Sequence, residues 1–178
     1  DRGDEVSVFL GDIPSENYDR MGFTKGLIEY IDNENAWLVG TDRGELFLFD
    51  NDGKQIWKRS LGIGKLVSMC VSHDEKIAFI GEQSPSGNLY AIDIAGGDIL
   101  WKFAAANVVG AEPAKRSYPS IVHICIDQND NVYANAYRFV TAKDGSRGYN
   151  GKAVAFNKNG DQLWQFPQNE NIDSWINW

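Results

Sequence analysis

The stretch Ala91–Trp101, AIDIAGGDILW, decides the fold of this chain. It reads as a strand, a glycine-rich turn and a second strand that ends in tryptophan. Asp93 alternates with apolar neighbours in the first strand. Gly96 and Gly97 supply the positive φ angles that a tight hairpin needs. The stretch therefore predicts an antiparallel hairpin whose second strand carries Trp101.

The same hairpin occurs twice more. LFDNDGKQIW ends at Trp57, and AFNKNGDQLW ends at Trp164. Each copy has a glycine four residues before its tryptophan, and these are Gly53, Gly97 and Gly160. Two further short apolar segments precede each hairpin, so the repeat unit is a four-stranded antiparallel meander. Radial stacking of such sheets into a β-propeller is the usual way to bury both of their faces. The sequence predicts an all-β fold with about three four-stranded blades.

The repeats divide residues 1–178 as a single partial propeller. We expect a strand without a hairpin partner at 5–10, blades at 25–60, 64–103 and 119–166, and the start of a further blade at 172–178. Propellers close with about four to eight blades. Since three blades and two stray strands do not close a ring, we expect the partners to be the remaining blades of a larger propeller or other copies of the chain.

Composition excludes several classes of function. The chain has 178 residues, of which 43% are hydrophobic and 12% aromatic, as is typical of a globular domain. A net charge of −8 without a basic run argues against nucleic-acid binding. The sequence contains no apolar run of about 18 residues, so no membrane span is expected. Cys70 and Cys125 form no metal motif, and we expect both to be small buried side chains.

The repeat resembles a known family. AIDIAGGDILW fits the pattern Ala-x-Asp-x-x-x-Gly-x-x-x-Trp, and the matching residues are Ala91, Asp93, Gly97 and Trp101. It is similar to the tryptophan-docking repeat of pyrroloquinoline-quinone (PQQ) alcohol dehydrogenases and of PQQ-like propellers that bind no quinone. The copy at Gly53 and Trp57 and the copy at Gly160 and Trp164 have a shorter turn. The resemblance implies that these residues build blades rather than active sites. Because such propellers are often exported, it also implies a periplasmic or extracellular location.

Three functions remain open. The resemblance favours a non-catalytic PQQ-like propeller segment that acts as a binding or assembly scaffold, with no cofactor and no metal. The first alternative is a fragment of a quinone-dependent dehydrogenase, which would bring PQQ with calcium; such enzymes carry adjacent cysteines, and this chain has none. The second is a fragment similar to arylsulfotransferases, which use a histidine nucleophile with arginines. That alternative makes His123 and Arg116 the catalytic candidates.

All the long connecting segments fall on one side of the predicted blades. In an up-and-down blade, the loops from the second to the third strand and the links between blades share a side, named here the long-loop side. Its segments are 11–24, 83–87, 104–118 and 138–150. Long loops on one side of a rigid scaffold often carry the binding residues. The candidate binding residues are Tyr18, Arg20, Lys115, Arg116, Tyr118, Arg138, Lys143, Asp144, Arg147 and Tyr149. The local excess of basic residues predicts an anionic ligand or a protein partner.

Overall fold

The computed structural model describes residues 27–111, 118–141 and 147–168. Within these ranges the chain forms twelve strands and one helical turn. The predicted strands at 5–10 and 172–178 and the loop 11–24 lie outside the described residues. The same holds for six candidate site residues, namely Tyr18, Arg20, Lys115, Arg116, Lys143 and Asp144.

The first blade is an antiparallel sheet of four strands in chain order. These are β1 (Ile28–Ile31), β2 (Ala36–Gly40), β3 (Glu45–Asp50) and β4 (Gln55–Ser60). Leu38 pairs with Leu48, and both are buried. Because paired residues share a face and successive residues alternate between faces, the centre of one side of the blade is apolar.

The second and third blades repeat this meander. The second comprises β5 (Lys65–Val71), β6 (Ile77–Gln83), β7 (Asn88–Asp93) and β8 (Ile99–Ala104). The third comprises β9 (Ser120–Ile126), β10 (Val132–Thr141), β11 (Arg147–Phe156) and β12 (Gln162–Phe166). A single pairing of Gln83 with Ser120 joins β6 to β9, so the two blades merge into one eight-stranded sheet.

The core consists of two apolar layers on the two faces of the second blade. The layer shared with the first blade includes Ile31, Leu38, Leu46, Leu48, Leu66, Ile80 and Ile92. The layer shared with the third blade includes Phe79, Leu89, Ile121, Val132, Val154 and Phe156. Adjacent residues of β6 therefore serve different layers, which explains why IAFIG is apolar without alternation. This stacking confirms the prediction of an all-β, incomplete propeller.

The long-loop side contains more regular structure than the sequence predicted. The link 104–118 was expected to be a loop, but it includes the short helix α1 (Ala106–Val109). The hairpin loop 138–150 was also predicted wrongly, because β10 continues to Thr141 and β11 begins at Arg147. The pairing of Phe139 with Tyr149 explains this difference from the prediction. Cross-strand aromatic pairs stabilise the two strands here, although the glycine and polar residues of this stretch are typical of a loop.

Two further expectations need correction. Cys125 is exposed and Cys70 is half-buried, whereas both were expected to be buried. Cys125 lies on β9, where alternation directs it and His123 away from the core layers. Of the two glycines in the central hairpin, Gly97 has a φ of 70° and Gly96 is not in the positive-φ region. The Asp93 side chain instead accepts a hydrogen bond from Gly96 N at 2.8 Å.

Candidate binding face and blade seams

A tryptophan and a glycine meet where the first blade packs against the second. The contact between two consecutive blades is called a seam here. Trp57, on β4, donates its indole N–H to Ile94 O in the second blade at 2.9 Å. A Cβ placed on Gly97 would lie 3.0 Å from Trp57 Cδ2, so the indole packs directly on the glycine. Arg59 adds a hydrogen bond to Gly97 O at 2.6 Å and an ion pair with Asp98 at 2.6 Å. The seam combines an apolar contact with polar contacts to the same turn.

The second seam repeats this arrangement. Trp101, on β8, donates its indole N–H to Lys158 O in the third blade at 2.9 Å. A Cβ on Gly160 would lie 2.7 Å from Trp101 Cγ. Both glycines have positive φ angles, 70° at Gly97 and 92° at Gly160. The predicted repeat residues therefore meet across consecutive blades, where each tryptophan contacts the glycine turn of the blade that follows.

The third tryptophan, Trp164 on β12, is 43% exposed. Its ring lies 5.8 Å from the ring of Tyr133 in the same blade. Leu163 and Phe166 beside it are exposed as well. Among the residues that the structure describes, no blade follows the third one, and these three apolar side chains are left exposed.

On the long-loop side, the hairpin of β10 and β11 is joined to α1. The carbonyl of Val109, in the last turn of α1, accepts hydrogen bonds from Arg138 Nε and from Asn150 Nδ2, the latter at 3.1 Å. The last carbonyls of a helix have no partner within the helix, so these side chains satisfy one of them. Gly110 follows with a φ of 78°, and a Cβ there would lie 3.0 Å from the Arg138 guanidinium. The link between blades is thereby held against the long hairpin.

A second cation lies on the same face of the hairpin. Lys152 pairs with Ala136, two residues before Arg138 on β10, so alternation places Lys152 and Arg138 on one face. Lys152 is only 4% exposed, and it makes no ion pair with any residue in the described ranges. A covered lysine that pairs with no described carboxylate creates a local positive potential on a chain that is acidic overall.

The opposite face of the hairpin is aromatic. The ring centroids of Phe139 and Tyr149 are 4.5 Å apart, and Tyr137 lies 5.9 Å from Phe139 and 6.2 Å from Tyr149. Burial raises the pKa of Tyr137. Arg138 and Tyr149, predicted to share one binding surface, are thus on opposite faces of the same hairpin. Among the other candidates, Tyr118 is half-buried just before β9, and Arg147 begins β11.

One polar residue on this side was not identified from the sequence. Glu82, at the end of β6, is 1% exposed. Its carboxylate accepts hydrogen bonds from Gly64 N at 3.1 Å, Asn88 Nδ2 at 2.8 Å and the Tyr90 hydroxyl at 3.0 Å. Burial and the Glu82 carboxylate raise the pKa of Tyr90. The only sequence signal is one glutamate at the end of an apolar strand, and this pattern does not indicate a buried anchor for the link between the first two blades.

Of the two catalytic candidates of the arylsulfotransferase-like alternative, the structure describes His123. His123 is exposed on β9, on the same face as Cys125. Arg116 lies outside the described residues. Within the described ranges, no group of three or more histidine, cysteine, aspartate or glutamate side chains is placed to hold a metal ion. The helical part of the described structure is too short to cross a membrane.

Stacked four-stranded blades with a repeated tryptophan–glycine seam define a β-propeller. The family profile described as outer membrane protein assembly factor BamB matches residues 32–174, and the chain belongs to that PQQ-like family. A search of curated proteins gave no match.

Two solved structures share the fold. The β-propeller domain of Myceliophteria thermophila Cps50 (Swd1) is 14% identical with a TM-score of 0.55, and the match covers 81% of this chain and 41% of that domain. A protein of unknown function from Bacteroides caccae is 15% identical with a TM-score of 0.52, and the match covers 78% of this chain and 47% of that protein. The chain therefore spans less than half the length of either relative.

Proposed function

We propose that the chain is a non-catalytic PQQ-like propeller segment that acts as a binding and assembly scaffold, with its ligand face on the long-loop side. The family description names an outer membrane protein assembly factor. Such assembly takes place outside the cytoplasm, which supports a periplasmic or extracellular location for this chain. The role as a scaffold requires no cofactor and no metal.

The observation that carries the proposal is the bracing of the long hairpin by α1. Arg138 and Asn150 both donate to Val109 O, so β10 and β11 are held against the link between blades. These two strands have ten residues each, whereas every other strand in the described ranges has seven or fewer. A long, braced hairpin presents side chains in a defined geometry, which lowers the entropic cost of binding.

The two faces of the hairpin suggest the chemistry of the partner. The rings of Tyr137, Phe139 and Tyr149 favour aromatic or aliphatic side chains of a partner. Lys152 and Arg138 lie on the face that packs against the second blade and α1, and their positive potential favours an anionic group nearby without direct contact. An acidic peptide with aromatic or aliphatic residues supplies both. The proposed partner is therefore an acidic, partly apolar protein segment rather than a small molecule.

The test is fluorescence anisotropy with labelled extended peptides that alternate glutamate with aromatic residues, compared with the same peptides carrying glutamine. We expect tighter binding of the acidic peptides and about threefold weaker binding to Lys152→Gln, because the covered ammonium attracts anionic side chains through the local potential rather than by contact. Lys54→Gln is the matched control, since Lys54 lies in an exposed turn between β3 and β4, away from the long hairpin. Equal binding of both peptide sets, or an unchanged affinity of Lys152→Gln, contradicts the proposal.

A further inference from the structure

We infer that Asn159, in the turn between β11 and β12, is a site of spontaneous deamidation, and that the product loosens the seam between the second and third blades. The reaction is characteristic of asparagine followed by glycine, because a residue without a side chain leaves its backbone nitrogen open for attack on the asparagine amide. The sequence contains two such pairs, Asn150–Gly151 and Asn159–Gly160. The structure distinguishes between them.

The reaction at Asn159 needs water and no other reagent. The backbone nitrogen of Gly160 forms a bond to Cγ of Asn159, the bond from Cγ to Nδ2 breaks, and Nδ2 leaves as ammonia with the proton of the glycine N–H. Water then opens the resulting five-membered succinimide ring at one of its two carbonyl groups. One opening gives aspartate, and the other gives isoaspartate, in which the backbone continues through the former side-chain carbonyl.

The two asparagine amides are held very differently. Asn150 lies within β11, where it pairs with Arg138, and its Nδ2 donates to Val109 O at 3.1 Å. Asn159 is exposed, and its side chain makes no hydrogen bond with any residue in the described ranges. The amide of Asn159 is therefore able to turn towards the nitrogen of Gly160, whereas the amide of Asn150 is fixed against α1.

The two attacking nitrogens also differ in accessibility. Gly160 N donates to Asn157 O at 3.0 Å, so one local hydrogen bond within the turn 157–161 must open before it reacts. Gly151 is buried in β11 and pairs with Tyr137 on β10. Its nitrogen becomes reactive only when the strands separate, and opening a ladder costs more free energy than opening an exposed turn.

The equivalent turns of the other two blades lack the reactive pair. Gly53 and Gly97 have positive φ angles like Gly160, and the residues before them are Asp52 and Gly96. A carboxylate is a poorer electrophile than an amide, and Gly96 has no side chain that could form the ring. Of the three glycine turns, the one in the third blade is therefore the one built to react.

The product changes a turn that contacts the second blade. Lys158 O accepts the indole N–H of Trp101 at 2.9 Å, and the same indole lies on Gly160. Isoaspartate at position 159 inserts one backbone carbon between these two contacts, so they can no longer both keep their geometry. Aspartate adds a negative charge but leaves the backbone length unchanged. Isoaspartate, rather than aspartate, is therefore the product that weakens the seam.

The site is tested by peptide mapping with tandem mass spectrometry after the chain has been incubated in mildly alkaline buffer. Deamidation raises the mass of a peptide by one unit, and methylation by a protein isoaspartyl methyltransferase marks the isoaspartate. We expect conversion at Asn159 to be roughly tenfold faster than at Asn150, because the exposed turn opens more readily than the ladder. A sample digested without incubation corrects for conversion during digestion. Conversion at Asn150 that is as fast as at Asn159, or no conversion at Asn159, overturns the inference.

The effect on the seam is tested by urea denaturation before and after incubation, followed by tryptophan fluorescence. The denaturation midpoint of the wild type should fall on incubation, whereas Asn159→Gln should keep its midpoint, because glutamine would have to form a less favourable six-membered ring. Freshly prepared Asn159→Asp is the matched control, since it carries the charge of the product on an unaltered backbone and should resemble the fresh wild type. An incubated wild type that keeps its midpoint, or an Asn159→Asp variant that loses as much as the incubated wild type, overturns the effect on the seam.

Discussion

The indole of Trp101 occupies the space that a side chain on Gly160 would need. A Cβ at Gly160 would lie 2.7 Å from Trp101 Cγ and 2.8 Å from Cδ2. Gly160 also has a φ of 92°, which L-residues with side chains rarely adopt. Both the lack of space beside the indole and the positive φ therefore require glycine at position 160, in the seam between the second and third blades.

Substitution of Gly160 should destabilise the fold. Gly160→Ala is expected to lower the free energy of unfolding by roughly 2–4 kcal/mol, because it combines left-handed strain with overpacking against the indole. Urea denaturation followed by tryptophan fluorescence measures the change. Gly148→Ala is the control, since a Cβ there meets Val140 Cγ2 at an ordinary 3.6 Å. Equal losses for the two variants would show that the seam does not require glycine.

Removal of the Glu82 carboxylate should be costly. Glu82→Ala leaves Gly64 N without its side-chain acceptor. It also leaves the Asn88 amide with only the Tyr90 hydroxyl as an acceptor and the Tyr90 hydroxyl with only Leu61 O. We expect a loss of roughly 2–4 kcal/mol in the free energy of unfolding at neutral pH, measured by urea denaturation. Glu34→Ala, in an exposed turn, is the matched control and should change stability little. A loss no larger than that of the control would show that Glu82 does not anchor the link between blades.

Stability at alkaline pH should depend on Tyr90. Burial and the neighbouring Glu82 carboxylate raise the pKa of Tyr90 well above its usual value. A raised folded pKa contributes stability that is fully present below the unfolded pKa of about 10 and is lost as the pH rises above it. Tyr90→Phe should therefore flatten the decline in stability above about pH 10. The measurement is urea denaturation at several alkaline pH values, and an unchanged decline would refute the prediction.

Stability at acid pH should depend on Asp127. Hydrogen bonds from the Asn131 side chain and from nearby backbone N–H groups lower the pKa of Asp127 to about 2. A lowered folded pKa contributes stability that is present above the unfolded pKa of about 4 and is lost as the pH falls towards 2. Asp127→Asn should make thermal stability less dependent on pH in this window. Asn131→Ala removes the strongest donor and should move the acid transition to higher pH, so the prediction fails if neither variant changes the acid profile.

Local patterns made much of the fold predictable. Each hairpin could be identified from residues close in sequence, because a turn such as Asp50 to Lys54 is stabilised by its own backbone and side-chain hydrogen bonds. Repetition of the pattern then indicated blades, since one meander cannot bury both faces. The lengthened hairpin was missed because its ladder depends on cross-strand pairs such as Phe139 with Tyr149, which are ten residues apart.

The candidate site was less predictable than the fold. Arg138 was selected as a basic loop residue, but it donates to Val109 O, 29 residues away. Lys152 and Glu82 were not selected, because burial of a charged side chain depends on which elements cover it. Cys125 was expected to be buried, yet it lies on the exposed side of β9. At each of these positions, contacts with residues far away in the sequence determine whether the side chain is buried or exposed.

The sequence by itself determined the repeat unit, the strand alternation and the glycine turns, because these depend on interactions between residues within a few positions of one another. The tertiary structure decided which surfaces meet. It placed Trp57 on Gly97 and Trp101 on Gly160, and it separated Arg138 from Tyr149 onto opposite faces. Such relationships depend on the stacking and register of whole blades, and no local pattern encodes them.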